Sequence, residues 1–244
     1  MKQPALLPAL LALFFTLGVV SAAAPTKSTV LYNGALGSTP DAQGWAYGGL
    51  ASPTASGGAT TLDTTGSAQI QAGFSASQAG FLGSTAPVPA LSRTRGFTLT
   101  FAVQVQSEAH SGSDRAGFSV IALADDARGI ELGFWQNQIW AQEGGTAKLF
   151  THAEGAAIDT TGGLIGYELA IRGDTYRLSS GGQPILSGPI RDYSAATGLL
   201  DPYETPSYLF FGDDTTSAAA SIRLASVGVT QPLDRQVFLP LARR

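Results

Sequence analysis

Along most of the chain, apolar residues fall on alternate positions in short runs that turn-forming residues separate. From Gly96 to Ser107, Phe97, Leu99, Phe101, Val103 and Val105 share one face, and Thr98, Thr100, Gln104 and Gln106 share the other. A period of two is that of a half-buried strand, so a central strand with one polar face is predicted here. The stretch from Ser107 to Gln142 then reads strand, turn, strand, turn, strand. Phe118, Val120 and Ala122 alternate with Ser119 and Ile121, and Ile130, Leu132 and Phe134 alternate with Glu131, Gly133 and Trp135. Asp125-Asp126 and Gln136-Asn137 supply the turns.

Shorter alternations predict strands at Thr29 to Tyr32, Ala59 to Asp63, Ser67 to Phe74, Lys148 to Thr151 and Tyr208 to Gly212. Leu164 to Arg172 and Thr175 to Ser179 are expected to pair through Gly173-Asp174 as a hairpin. Arg172-Gly173-Asp174 spells an adhesion tripeptide, but turn chemistry accounts for it. In the closing strand, Ser221 to Thr230, Ile222 and Leu224 are out of phase with Val227 and Val229, which predicts a bulge near Ala225-Ser226. Trp45 and Tyr47, within the Gly-rich run 44–49, read as an aromatic plug closing one end of the fold. Many short strands with Gly-rich turns, and no helical period outside the N-terminal segment, give the expected fold class: all-β, a jelly-roll sandwich of two antiparallel sheets.

Composition narrows the setting. The 244 residues include 30 Gly and no Cys, only 13% are charged, and the formal net charge is −4. Nucleic acid is therefore not an expected partner, and thiol nucleophiles and sulfur-ligated metals are excluded. The first residues, MKQPALLPALLALFFTLGVVSAAAP, place Lys2 before an apolar run from Leu6 to Val20 and small residues from Ser21 to Ala24. These are the parts of a secretory signal peptide, residues 1–23, cleaved after Ala22 or Ala23. The sandwich domain is expected over 27–230, and the tail 231–244 reads as a sorting or surface-attachment segment. Its apolar run from Val237 to Ala242 is far shorter than the ~20 residues that span a bilayer. Contact with a membrane is expected only through the signal peptide.

The segments GFTLTFAVQVQSEAHSGSDRAGFSVIALADDARGIELGFWQNQIWAQ and DPYETPSYLFFGDDTTSAAASIRLASVGV carry a resemblance. With DRAGFS, GIELGFW and GDDTTSA in combination, the chain resembles bacterial exported domains of the choice-of-anchor Y type, in the concanavalin A-like (LamG-like) group, from about Leu31 to Val229. The resemblance implies a jelly roll and a secreted or cell-surface location. It supplies no catalytic residues.

Candidate chemistry is sparse. The two histidines, His110 and His152, are not framed by a Gly-x-Ser-x-Gly elbow or a His-Glu-x-x-His motif, so neither a serine hydrolase triad nor a zinc site is indicated. Arg115 reads as one half of an ion pair with Glu108 or Glu131, or as a ligand contact. Asp213 and Asp214, with Asp201 and Glu204 close in sequence, could offer oxygen ligands to calcium, although no Asp-x-Asp-x-Asp-Gly loop supports it and a plain turn is the alternative. If Gln136 to Gln138 form a three-residue loop, Glu131 faces Glu143 across the ladder. Opposed side chains lie ~5 Å apart at Cβ, close to the ~5–5.5 Å between the carboxyl groups of retaining glycosidases. A register change of one residue would remove that pair.

The expected function is thus a non-catalytic exported module that binds a polysaccharide or cell-envelope glycan. The contacts expected to carry it are Trp135, Glu131, Arg115, Gln104 and Trp140, with Trp135 stacking on a sugar ring. A glycoside hydrolase or polysaccharide lyase using Glu131 and Glu143 is the alternative, and a purely structural envelope domain is the third reading.

Overall fold

The computed structural model describes residues 25–198 and 201–233. The predicted signal peptide and the tail beyond 233 lie outside the described residues. In chain order the first strands are β1 (Thr26–Asn33), β2 (Ala46–Gly49), β3 (Thr54–Ser56), β4 (Ala59–Asp63), β5 (Ala72–Ser77), β6 (Phe97–His110), β7 (Ser119–Leu123) and β8 (Gly129–Phe134). They are followed by β9 (Gln138–Gln142), β10 (His152–Ala157), β11 (Ile165–Arg172), β12 (Thr175–Ser180), β13 (Gln183–Pro189), β14 (Tyr208–Asp213) and β15 (Ala218–Pro232). One sheet runs β13-β12-β11-β6-β15-β4-β3, with β1 also on β15; the other runs β10-β9-β8-β7-β14-β5-β2. Every pairing between named strands is antiparallel.

The alternating residues explain the layers. Leu99, Phe101, Val103 and Val105 of β6 point inward against Val120, Leu132, Phe134 and Phe211 of the facing sheet, all within one buried core. Phe101 is its centre, with Tyr167 stacked at 5.3 Å and Phe134 and Phe211 edge-on at 6.2 and 5.4 Å. Burying one such ring contributes roughly 1.5–3 kcal/mol. Trp45 sits in this core and donates its indole N–H to the Leu31 carbonyl at 2.9 Å, so the aromatic plug is a core element.

The hairpin at Gly173-Asp174 forms, and Asp174 pairs there with Arg93 at 2.6 Å. The β15 register shifts between Leu224 and Ser226, where the hydrophobic phase changes. Three boundaries differ from expectation. The segment Gly145–Lys148 is a single helical turn, and the strand after it begins at His152. The strand expected at Ser67 to Phe74 begins at Ala72, after a turn. Gln231 and Pro232 belong to β15, paired with Lys27 and Thr26, so the last strand outruns the expected domain edge by two residues.

The centre of the seven-stranded sheet is buried on both faces. Its outer face carries Ile121 and Leu123, covered by Tyr193, Tyr203 and Tyr208 with Phe81, Leu149, Phe150 and Phe210 packed around them. All residues of β7 and β8 are consequently buried. Tyr193, Tyr203, Leu149 and Phe150 of this second apolar layer come from segments without strand periodicity, Tyr208 and Phe210 come from β14, and Phe81 comes from a 3-10 turn.

Candidate functional site

β8 and β9 pair Phe134 with Ile139, Gly133 with Trp140 and Leu132 with Ala141. The Trp135 amide donates to the Gln138 carbonyl at 2.9 Å, which leaves Gln136 and Asn137 as a two-residue turn. Two carbonyls of this turn are held by the following segment, Gln136 by the Thr160 amide and Asn137 by the Ile158 amide. The three-residue loop is thereby corrected, and with it the Glu131–Glu143 pair. A change of one residue turns Glu143 to the other face, where it meets the Arg191 Nε at 2.6 Å. Arg191 also holds Glu154 at 2.6 Å, and the Tyr176 hydroxyl donates to Glu154 at 2.8 Å. Glu143 thus belongs to a polar cluster that ties the β10 edge to the other sheet.

Opposite Glu131 the ladder is wedged open. The Glu131 amide donates to the Tyr193 hydroxyl at 3.0 Å, and that hydroxyl donates to the Gln142 carbonyl at 3.0 Å. Arg191 and Gly129 exchange backbone hydrogen bonds of 2.6 and 3.1 Å beside it. The segment 191–193 therefore takes the place of β9 against the start of β8, and the side chains of Glu131 and Gln142 are set together on the outer face.

There they form the floor of a cleft of about 580 Å³, walled by Arg115, Phe150, Tyr203, Tyr208, Phe210 and Asp214. Glu131 is 1% exposed, and the Tyr203 hydroxyl donates to its Oε2 at 2.6 Å. Its carboxyl is pushed up to about 8, by burial first and by the Asp214 charge second, against the hydrogen bonds of Tyr203 and Gln142 and the charge of Arg115. At neutral pH it is predominantly the uncharged acid. The Asp214 carboxyl is also pushed up by burial within the surrounding protein, opposed by Arg115 and a Ser119 hydrogen bond, although the residue remains open to solvent. The Gln142 Oε1 is buried with no hydrogen-bond donor among the described residues.

Arg115 does not form the expected ion pair. Its Nη1 donates to the Asp114 and Phe150 carbonyls at 2.7 and 2.5 Å, with the guanidinium 5.4 Å from the Phe150 ring centre. Phe150 is held at a left-handed φ of 59°, a strained position for a residue with a bulky side chain, and this places its carbonyl on Arg115 and its ring against Tyr203. Glu108 pairs instead with His110 at 2.9 Å.

The other expected contacts lie elsewhere. Gln104 is on the eight-stranded sheet, its amide donating to the Thr161 carbonyl at 2.8 Å, so it faces away from Glu131 on the opposite side of the molecule. The reason is a crossing between β6 and β7: at Gly117 a Cβ would stand 2.1 Å from the Ala219 backbone, and only glycine lets the chain pass so close to β15. Trp135 is covered. Its indole N–H donates to the Arg115 carbonyl at 2.9 Å, and His110 stacks on the ring at 4.1 Å and 11°. Trp140 is fully buried, laid across Gly133 and stacked under His152 at 4.2 Å and 8°. Trp140 therefore offers no free face to a sugar, and His110 occupies one face of Trp135.

Asp213 and Asp214 lie at successive positions and turn apart. Asp213 accepts from the Thr64 hydroxyl at 2.6 Å and the Thr215 amide at 3.1 Å, and burial pushes its carboxyl up to about 7. Among the described residues no three of His, Cys, Asp and Glu are grouped to hold one ion. Tyr193, Tyr203 and Gln142 went unrecognised in the sequence. The first two stand in an aperiodic passage, where their only signal is two tyrosines in a turn-rich loop.

No protein-family model matches the chain, and no curated protein matches it. Solved structures do. A conserved carbohydrate esterase from the Shiga toxin-encoding bacteriophage phi24B is similar over 85% of this chain and 100% of that one, at 14% identity and a TM-score of 0.56. A protein of unknown function with a galectin-like fold from Bacillus subtilis is similar over 85% and 98%, at 12% identity and a TM-score of 0.51. At these identities what is shared is the fold, a jelly-roll sandwich, as the sequence led us to expect.

Proposed function

We propose that the chain is an exported β-sandwich module that binds a saccharide, without cleaving it, in the cleft over the seven-stranded sheet. The observation that carries the proposal is the floor of that cleft. Buried Glu131, Tyr203 and Gln142 converge there beneath the aromatic walls of Tyr208 and Phe210, in a concavity large enough for a few sugar units. Aromatic faces serve the apolar side of a sugar ring, and fixed polar groups serve its hydroxyls. The fold shared with a carbohydrate esterase and with a galectin-like protein supports a carbohydrate ligand. The signal-peptide pattern and the resemblance to choice-of-anchor Y domains support export to the medium or the cell surface, where a cell-envelope glycan would be the partner.

Catalysis has in its favour the carboxyl groups of Glu131, Asp213 and Asp214 in one cleft, with that of Glu131 pushed up to about 8. Against it, the Glu131 carboxyl is already engaged by Tyr203 and by Gln142. Glycan-array binding with reducing-end release measured in parallel tests the proposal. Wild type and Trp135→Ala should bind without release, and Tyr203→Phe and Gln142→Ala should bind about tenfold more weakly. Release that vanishes in Glu131→Gln would make the protein an enzyme, and no glycan bound by folded wild type would leave a structural domain.

A further inference from the structure

We propose that the cleft selects an uncharged saccharide and rejects sugars that carry a carboxylate, such as uronates; the inference rests on the saccharide reading above. Two independent features lead to it, one of charge and one of hydrogen-bond polarity.

The charge feature is that one guanidinium, Arg115, shares the cleft lining with three carboxyl groups, Glu131, Asp213 and Asp214. The cleft lining contains neither Lys nor His, and its one Arg is Arg115. Nη1 of that guanidinium is committed to the Asp114 and Phe150 carbonyls. Its charge favours the ionised form of both Glu131 and Asp214, which face it across the cleft. A carboxylate entering the cleft would add to these carboxyl groups, and among the described residues the lining offers no second cation to offset it.

The polarity feature concerns which partners the cleft wants. No hydrogen bond from the described residues reaches the buried Gln142 Oε1, and Asp214 when ionised offers only acceptor oxygens. Burying an acceptor without a partner is costly, so a ligand gains by bringing a donor to it. A sugar hydroxyl both donates and accepts. A carboxylate only accepts, and so cannot satisfy Gln142 or Asp214. Oxidising a hydroxymethyl group to a carboxylate would remove a donor that these two acceptors can use.

The test is a titration of the full exported chain with matched β-1,4-linked hexamers. The gluco and manno series each supply a neutral hexamer and its counterpart oxidised at C6, and xylohexaose serves as a neutral reference. Calorimetric titration at neutral pH and low ionic strength should find the neutral member bound about tenfold or more tightly than its oxidised partner. Raising the ionic strength should narrow that ratio in part. Asp214→Asn, which removes the charge with little change in shape, should narrow it further while the fold, checked by circular dichroism, is kept. A uronate hexamer bound as tightly as its neutral partner, or more tightly, would overturn the inference and leave saccharide binding intact. Failure of folded wild type to bind any of the hexamers would remove the saccharide reading and the inference with it.

Discussion

Replacing Glu131 with Gln should make the protein more stable at alkaline pH, although it removes a charged residue type from a site that also holds an arginine. In the unfolded chain this carboxyl releases its proton near the ordinary value of 4.5, and in the folded protein it keeps it up to about 8. Between those two values the unfolded state binds fewer protons, so stability falls as pH rises. The Glu131 contribution to the slope approaches ~1.4 kcal/mol per pH unit in the middle of the window, and the total loss is on the order of a few kcal/mol. Gln preserves an acceptor for the Tyr203 hydroxyl and cannot ionise, so it mimics the protonated acid. Glu131→Gln should therefore match wild type within about 1 kcal/mol near pH 4.5 and exceed it by roughly 2–4 kcal/mol near pH 8. Some slope should remain, because Asp213, pushed up to about 7 from 3.8, acts with the same sign. Urea unfolding followed by tryptophan fluorescence across that pH range is the assay. A variant with the full wild-type slope, or one less stable than wild type near pH 8, would refute the reasoning and show that Glu131 is an anion balanced by Arg115.

Two further outcomes follow from packing. Gly133→Val should cost ~1–3 kcal/mol and unstack Trp140 from His152, because even a Cβ at this position would lie 2.7 Å from the Trp140 ring; urea unfolding and the near-ultraviolet circular dichroism of the indole report both effects. Glu143→Gln should leave saccharide binding unchanged and lower stability by about 1–3 kcal/mol, since the buried Arg191 loses one of the two carboxylates that pair with it. Loss of binding without loss of stability in that variant would return Glu143 to the site.

The sandwich was legible because its central strands keep strict alternation. In β6 the five apolar residues from Phe97 to Val105 all reached the core, and the phase change in β15 fell where the register shifts. The site was much less legible. Glu131 was visible as a carboxylate on the outer face of a strand, but its partners depended on one residue of register in the β8–β9 hairpin, and alternation alone cannot fix that number. Nor can alternation say in which sheet a strand lies, and so Gln104 and Glu131, each on the polar side of its own strand, ended on opposite faces of the molecule. Trp135 looked exposed because nothing in its own strand covers it; the cover comes from His110 and Arg115, which precede it by about two strands. Tyr193 and Tyr203 act through hydrogen bonds between a loop and a strand more than sixty residues away, a relation without a local pattern.

The central claim is that a saccharide lies over Glu131, Gln142 and Tyr203, and amide chemical-shift mapping tests it most directly. Titrating isotope-labelled protein with a neutral oligosaccharide found to bind should perturb, saturably and at one affinity, the amides of Glu131, Gln142, Tyr203 and Asp214, with Trp45 and Gln104 unmoved. Shifts confined to Gln104 and its neighbours on the eight-stranded sheet, or to the Trp135–His110 stack, would contradict the account.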